Sequence, residues 1–214
     1  WQKILYVDAN TGCADVVLVP GAPNVILATM WQFRRGPDFF TSGGPGSGLY
    51  RSLDGGASWQ KLTAGLPEGE LGRIALAIPP SRPNRIYAVV ECADTGFYRS
   101  DDLGATWTRT SDSGVVKGRP FYFSLVVADP KDPDRVYKPG TSCSVSRDAG
   151  ARWEGIGGWV HADHHALWID PRDPSHMYAG TDGGVYVTHN RGAQWWMCHG
   201  LPLSQFYRVS VDDA

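Results

Sequence analysis

The chain has 214 residues, of which 42% are hydrophobic and 20% charged, and its formal net charge is −2. These values indicate a folded domain with a sizeable core, and they exclude a disordered tail and a nucleic-acid binder that works through bulk positive charge. No apolar run is long enough to span a bilayer. The 26 Gly and 15 Pro predict many turns between short elements, and 9 Trp is a high number for this length.

One eight-residue pattern, S/T-x-D/N-x-G-x-x-W, occurs four times, and we call its copies repeat turns 1 to 4. They are Ser52–Trp59, Ser100–Trp107, Ser146–Trp153 and Thr188–Trp195. The third residue can accept backbone N–H bonds within the turn, the glycine permits a positive φ, and the tryptophan can bury its ring at a seam. Eight of these positions are therefore predicted to be structural: Asp54, Trp59, Asp102, Trp107, Asp148, Trp153, Asn190 and Trp195.

A second marker, P-x-x-P between two apolar runs, precedes each repeat turn. Its copies begin at Pro20, Pro80, Pro130 and Pro171. Each unit of about 42–50 residues predicts four short strands, the third entering the repeat turn and the fourth starting at its tryptophan. The predicted fold class is all-β, a β-propeller of four full four-stranded blades. The blades are predicted at residues 14–62, 73–110, 122–157 and 164–200.

Two orphan strands are predicted outside the four blades, a last strand at residues 1–5 and a first strand at residues 206–211. An open arc of blades leaves unpaired edges. Three arrangements would cover them: the rest of a larger propeller, a second copy of the chain, or pairing of the two orphan strands. The first is favoured because both ends of the chain cut through a blade.

The repeat turns match the Asp-box, or BNR, repeat of sialidases, sortilin-type receptors and xyloglucan-cleaving glycoside hydrolases. Residues 42–52, 66–73 and 163–171 resemble the bacterial sortilin-like group often described as "glycosyl hydrolase, BNR repeat". The resemblance covers nearly the whole chain and implies a β-propeller in a secreted or periplasmic, bacterial-like protein. The sialidase pattern, three arginines with a tyrosine nucleophile, is not traceable in this sequence.

Loops that join the second and third strands of a blade, and loops that join blades, share one side of a propeller, which we call the loop face. Residues 155–165 bring a cluster of side chains to this face: His161, Asp163, His164 and His165. Histidines and carboxylates this close are candidate ligands for a divalent metal or candidate acid–base groups. Strand alternation places Asp163 and His165 on one side and His164 on the other. Asp182 is predicted to be their acidic partner, and the alternative is that the histidines only line the channel.

The segment from Trp31 to Gly48 is an insertion predicted to form a long loop on the same face. Aromatic side chains beside paired arginines suit sugar stacking or carboxylate capture, and the alternative is a loop that only covers the channel mouth. The candidate ligand-binding residues of the loop face are Trp31, Arg34, Arg35, Arg119, Tyr122 and Trp159. Glu68 and Glu70 are interpreted as solvated.

Three functions fit these residues. The first is a module that binds a glycan or a peptide on the loop face. The second is a glycoside hydrolase, which needs two carboxylates about 5–9 Å apart. Asp163 and Asp182 are its candidate catalytic residues and Glu70 a weaker third. The third is a metal-dependent site that holds a divalent ion on His161, His164 and His165.

The four cysteines are widely spaced and form no C-x-x-C pair. A zinc site is therefore not indicated. They could form up to two disulfides in a secreted protein, but the favoured interpretation is buried free thiols. These residues are Cys13, Cys92, Cys143 and Cys198.

Overall fold

A computed structural model of the chain describes residues 1–201 and 210–211. They form four antiparallel sheets arranged as the blades of a β-propeller, which confirms the predicted all-β fold class. Blade 1 contains β1 Thr11–Val19, β2 Ala22–Arg35, β3 Phe40–Ser42, β4 Gly48–Ser52 and β5 Gln60–Leu62. Blade 2 contains β6 Ile74–Ala77, β7 Ile86–Val90, β8 Gly96–Ser100 and β9 Thr108–Ser111. Blade 3 contains β10 Val127–Ala128, β11 Val136–Lys138, β12 Cys143–Ser146 and β13 Glu154–Ile156. Blade 4 contains β14 His164–Ile169, β15 Met177–Thr181, β16 Gly184–Thr188 and β17 Trp196–Met197.

In blades 2 to 4 successive strands pair, and the first and fourth strands are the edges of each sheet. In blade 1 the order is β1-β2-β4-β5, with β3 paired to β2 alone. One helix of four residues, α1 Gly114–Lys117, lies between blades 2 and 3. No helix in the described part of the chain is long and apolar enough to cross a membrane.

The insertion in blade 1 is a β-hairpin rather than the predicted loop. β2 continues to Arg35 and pairs with β3, with Phe33 opposite Ser42 and Arg35 opposite Phe40. The ladder satisfies the backbone groups that a long loop would leave to water. The hairpin extends the second strand of blade 1 beyond the rest of its sheet.

The strand predicted at residues 1–5 is not formed, since these residues are irregular and β1 begins at Thr11. Within residues 1–201 and 210–211 this segment pairs with no strand, and an isolated strand is unstable in water. Most of the other orphan strand, residues 206–211, lies outside the described residues, and residues 210–211 carry no strand.

The repeat turns are held by short local hydrogen bonds. In repeat turn 2, Asp102 Oδ1 accepts bonds from Ser100 Oγ at 2.7 Å and from the Thr106 N–H at 2.8 Å. Thr106 Oγ1 donates to Asp102 Oδ2 at 2.6 Å, and the Gly104 N–H donates to Ser100 Oγ at 2.8 Å. Gly104 has a φ of 83°, a conformation that glycine adopts at little cost. These contacts agree with the structural role predicted for the motif.

The degenerate turns keep the same frame with substitute groups. In repeat turn 3, the guanidinium of Arg152 replaces the usual hydroxyl and donates to Asp148 Oδ2 at 2.7 Å. In repeat turn 4, Asn190 Oδ1 accepts bonds from Thr188 Oγ1 at 2.9 Å and from the Gln194 N–H at 2.8 Å. An amide oxygen is therefore sufficient for the central bonds of the turn.

The asparagine of repeat turn 4 predicts how substitutions of the aspartate in repeat turn 2 will change stability. Asp102→Ala removes every bond that the carboxylate accepts and is expected to lower the free energy of unfolding by about 2 kcal/mol. Asp102→Asn keeps one oxygen acceptor and is expected to lose about half as much. Urea denaturation of both variants measures the difference, with Asp38→Asn on the exposed hairpin as control. Equal losses for Ala and Asn would contradict this role of the oxygen.

The hydrophobic core consists of three clusters, one at each seam between neighbouring blades. The tryptophan of each later repeat turn packs at the seam with the preceding blade. Trp107 belongs to the cluster between blades 1 and 2, Trp153 packs against that between blades 2 and 3, and Trp195 belongs to the last. The motif therefore joins each turn to the neighbouring blade.

All four cysteines are free, as predicted, but only one of them is buried. Cys143 lies inside blade 3, Cys92 and Cys198 are half-buried, and Cys13 is exposed. The expectation of buried thiols is therefore wrong for Cys13, which lies near the start of β1.

Candidate functional site

Residues from all four blades line an open cavity of about 550 Å³, which we call the channel cavity. β1, β6, β14 and the segment that precedes β10 each contribute to its wall. The polar side chains among its lining residues belong to Asp15, Arg73, Tyr122, Ser124, His164 and His165. The cavity therefore draws polar groups from all four blades.

His165 and Asp182 form a pair beside this cavity. His165 Nε2 lies 2.8 Å from Asp182 Oδ1, as predicted for an acidic partner. The pair depends on an irregularity in β14, where His164 pairs with Thr181 and the next pair is Ala166 with Gly180. Such a β-bulge changes the direction of side chains, so simple alternation does not hold across His164 and His165.

The three histidines do not form a metal site. His161 is exposed and its Nδ1 lies 3.0 Å from the Ala162 carbonyl oxygen, whereas His164 is 3% exposed. Burial lowers the pKa of His164 and favours its neutral form. Over residues 1–201 and 210–211, no group of three or more His, Cys, Asp or Glu side chains is arranged to hold a metal ion. The predicted site on His161, His164 and His165 is wrong because the bulge and the turn before it separate these side chains.

The two candidate catalytic carboxylates lie in adjacent segments of blade 4. The Asp182 N–H donates to the Asp163 carbonyl oxygen at 3.3 Å, and the Asp163 N–H donates to the Thr141 carbonyl oxygen at 3.0 Å. Asp163 has a φ of 62°, and it directly precedes β14. The backbone therefore brings Asp163 and Asp182 together, while the Asp182 carboxylate also contacts His165.

A row of aromatic rings crosses the loop face from the blade 1 hairpin to the segment before β10. Successive ring centroids lie 4.3 Å apart for Trp31 and Phe33, 5.4 Å for Phe33 and Phe40, and 4.6 Å for Phe40 and Phe121. Tyr122 and Phe123 follow Phe121 in the chain, and their ring centroids are 4.9 Å apart. We call this row the aromatic strip; it consists of Trp31, Phe33, Phe40, Phe121, Tyr122 and Phe123. Tyr122 and Phe123 also contact the ring of His165, at 5.9 and 5.8 Å.

Arg73 joins the aromatic strip to the channel cavity. Its guanidinium lies 5.4 Å from the centroid of the Trp31 ring. Its Nη1 donates to the carbonyl oxygens of Phe121 at 3.1 Å and of Tyr122 at 3.2 Å. The Arg73 N–H donates to Glu91 Oε2 at 2.7 Å. Sequence reasoning did not single out either residue, because Arg73 entered it only as the last residue of the segment 66–73 and Glu91 belongs to no motif.

The remaining candidate binding residues fall into different environments. Arg119 stacks 4.8 Å from the centroid of the Tyr122 ring and so belongs beside the aromatic strip. Arg34 donates to Asn10 Oδ1 at 2.7 Å and ties the hairpin to the N-terminal segment. Arg35 is exposed at the end of the hairpin. Trp159 is 61% exposed on the loop between blades 3 and 4, with its ring 5.7 Å from that of Tyr186.

A second cavity of about 660 Å³ opens between the loops of blades 1 and 2. Glu68, Glu70 and Glu91 are among its lining residues. Glu68 and Glu70 are exposed, which agrees with their interpretation as solvated side chains. Glu70 lines this second cavity and not the channel cavity.

Two xyloglucan-degrading enzymes are similar to the chain in sequence. A xyloglucanase of a Paenibacillus species is 36% identical over 134 residues, which cover 62% of this chain and 12% of that enzyme. An oligoxyloglucan-reducing end-specific xyloglucanase of Emericella nidulans is 26% identical over 183 residues, covering 73% of this chain and 22% of that enzyme. The chain thus spans less than a quarter of the length of either relative. No family model matches the chain.

Solved structures show the same fold at low sequence identity. An ancestral GH74 enzyme aligns with a TM-score of 0.63 at 16% identity, covering 92% of this chain and 25% of that one. YCF48 from Cyanidioschyzon merolae aligns with a TM-score of 0.56 at 14% identity, covering 87% of this chain and 56% of that one. Together the comparisons support a β-propeller module similar to those of glycosidases.

Proposed function

We propose that this chain is a β-propeller module of a xyloglucan-acting glycoside hydrolase and that its loop face binds the glycan. The observation that carries the proposal is the aromatic strip, of which Tyr122 and Phe123 line the channel cavity. The propeller that carries it is similar in sequence to two xyloglucanases. The shared sequence alone would support only the fold and a general likeness to glycosidases. The strip adds a surface suited to sugars.

The chemistry of the strip matches that of a glycan. A sugar ring has an apolar face that packs on an aromatic ring, and hydroxyl groups at its rim that bond to charged and polar side chains. Tyr122 is 41% exposed and Phe40 is 44% exposed, so both rings are accessible to a ligand. Arg119 lies beside Tyr122 and can donate several hydrogen bonds to hydroxyl oxygens.

Hydrolysis would require a pair of carboxyl groups on either side of the scissile bond. One protonates the departing glycosidic oxygen, and the other activates a water molecule or attacks the anomeric carbon directly. We assign this pair to Asp163 and Asp182, whose backbones are hydrogen-bonded to each other beside the channel cavity. If the module lies within a longer chain, other parts of that chain would complete the active site around this pair.

Binding is tested by titrating the protein with a xyloglucan heptasaccharide in a calorimeter. Tyr122→Ala is expected to weaken binding about tenfold, because it removes an exposed ring of the strip beside the channel cavity. Trp159→Ala tests the loop between blades 3 and 4 in the same way. The matched control is Trp196→Ala, which removes a ring that is 48% exposed on the outermost strand of blade 4. A wild-type protein that binds no heptasaccharide, or a control that loses as much affinity as Tyr122→Ala, would refute the proposal.

A binding module without hydrolytic activity is the second candidate, because the Asp182 carboxylate is already paired with His165. Reducing ends released from xyloglucan distinguish the two roles. If Asp163→Asn and Asp182→Asn abolish the release while retaining heptasaccharide binding, the chain is a hydrolase. If wild type binds the heptasaccharide but releases no reducing ends, the chain is a binding module. Its ligand would then be a glycan or a peptide, and the protein would be extracytoplasmic.

A further inference from the structure

We infer that Arg73 and Glu91 are positioning residues that hold the two halves of the aromatic strip together as one surface for the glycan. This role rests on the proposed function and deepens it, since it accounts for the fixed spacing of rings from distant parts of the chain. The hairpin half consists of Trp31, Phe33 and Phe40, and the segment half of Phe121, Tyr122 and Phe123.

Arg73 and Glu91 lie side by side at one end of blade 2. Arg73 directly precedes β6 and Glu91 directly follows β7, and the Glu91 N–H donates to the Arg73 carbonyl oxygen at 3.1 Å. The Arg73 N–H donates in turn to the Glu91 carboxylate at 2.7 Å. A Cβ at position 72 would clash with this carboxylate, so Gly72 gives it room. Both side chains therefore project from a rigid sheet.

The Glu91 carboxylate holds the hairpin half through a serine of β3. Trp31 Nε1 donates to Ser42 Oγ at 3.0 Å, and Ser42 Oγ donates to Glu91 Oε2 at 2.7 Å. The direction of both bonds follows from the groups, because an indole N–H only donates and a carboxylate only accepts. Hydrogen bonds to an ionised acceptor are stronger than those between neutral groups. The polar edge of the Trp31 ring is therefore tied to blade 2.

The Arg73 guanidinium contacts both halves of the strip. It lies 5.4 Å from the centroid of the Trp31 ring, and its Nη1 donates to the carbonyl oxygens of Phe121 and Tyr122. A planar cation that packs on a ring and donates along its edge has few orientations. The backbone of the exposed Tyr122 is thus fixed relative to the hairpin by one side chain.

A glycan that spans several rings binds best when the rings are already in place, because ordering them on binding costs affinity. The rings of Phe40 and Phe121 also join the two halves, but ring contacts are less directional than hydrogen bonds. Arg73 lines the channel cavity, whereas Glu91 lines the second cavity. A loss of affinity at Glu91 would therefore come from displaced rings and not from a lost contact with sugar in the channel cavity.

A double-mutant cycle on calorimetric binding of the xyloglucan heptasaccharide tests the role of Arg73. Arg73→Ala is expected to weaken binding about tenfold, as Tyr122→Ala does. Adding Arg73→Ala to Tyr122→Ala should cost less than about threefold more, because the ring that Arg73 positions is already gone. A larger additional loss would show that Arg73 bonds to the glycan directly, and would overturn the inference. The matched control is Arg82→Ala, an exposed arginine in the turn between β6 and β7.

Glu91 provides a second test that does not depend on Arg73. Glu91→Ala is expected to weaken heptasaccharide binding about fivefold. Glu91→Gln should restore the affinity to within about twofold of wild type, because an amide oxygen can accept the bonds from Ser42 and from the Arg73 N–H. If Arg73→Ala does not fold, the Glu91 variants decide alone, and equal losses for Ala and Gln overturn the inference.

The outcomes separate the positioning role from the proposed function. If Tyr122→Ala weakens heptasaccharide binding while Arg73→Ala and Glu91→Ala stay within twofold of wild type, the positioning role is refuted and the glycan-binding function stands. If the wild-type protein binds no heptasaccharide, the proposed function fails and the positioning role fails with it.

Discussion

Replacing Trp107 with alanine is expected to lower the free energy of unfolding by about 3–5 kcal/mol. The ring is 5% exposed and belongs to the core cluster between blades 1 and 2. Its Nε1 donates to the Gly104 carbonyl oxygen at 3.0 Å, so the substitution also removes a buried hydrogen bond. The resulting cavity would lie at a seam that joins two blades, where neither blade can close it alone.

Urea denaturation followed by circular dichroism measures this loss. Trp59→Ala is the control, because Trp59 occupies the same position of repeat turn 1 and its Nε1 donates to Gly56 in the same way, at 3.1 Å. Trp59 is only half-buried, so its loss should cost about half as much. If Trp107→Ala does not fold, Trp107→Phe keeps most of the ring and still reports the seam. Equal losses in the free energy of unfolding for Trp59→Ala and Trp107→Ala would show that the tryptophan stabilises the turn and not the seam between blades.

The repeat could be predicted from the sequence because its bonds are local. Asp102 bonds to residues two and four positions away, Ser100 and Thr106, so the motif contains both partners of each bond. The motif and the P-x-x-P marker occur in the same order in every blade, which is sufficient to predict the number and order of strands. The antiparallel neighbours then follow from strand order alone.

The candidate site was harder to predict because its contacts join distant residues. The ring of Phe40 contacts that of Phe121 in another blade's segment, and the Arg73 side chain bonds to the Tyr122 carbonyl oxygen 49 positions away. Nothing in either local sequence indicates the other. The bulge at His164 and His165 is a local change of register, which the period-two pattern of the sequence does not reveal. The pairing of His165 with Asp182 was predictable since both lie on neighbouring strand ends of one blade.

Lys138 is expected to make the stability of the protein vary with pH in the alkaline range. The side chain is 2% exposed, and its Nζ donates to the carbonyl oxygens of Phe123 at 2.6 Å and of Pro139 at 3.0 Å. Burial lowers the pKa of Lys138 from 10.5 to about 8. Since Phe123 directly precedes Ser124, this amine also anchors the segment that lines the channel cavity.

The sign of the effect follows from which state binds the proton. Below pH 8 the amine is charged in both states, and the folded state carries the full cost of burying the charge. Between pH 8 and 10.5 the folded state releases the proton before the unfolded state does, so stability increases as the pH rises. The depressed pKa corresponds to a gain of about 3 kcal/mol across this range.

Comparison with Lys138→Met isolates this gain, because methionine has similar length and does not titrate. The free energy of unfolding of wild type, minus that of the variant, should rise by about 3 kcal/mol between pH 7 and pH 10.5. Burial raises the pKa of the Cys143 thiol to about 12, but this thiol is present in both proteins and its contribution largely cancels. A difference that stays constant over this range would mean that Lys138 retains its charge when folded. The two carbonyl oxygens would then have to solvate an ammonium ion fully, and the segment before β10 would be held by a permanent charge.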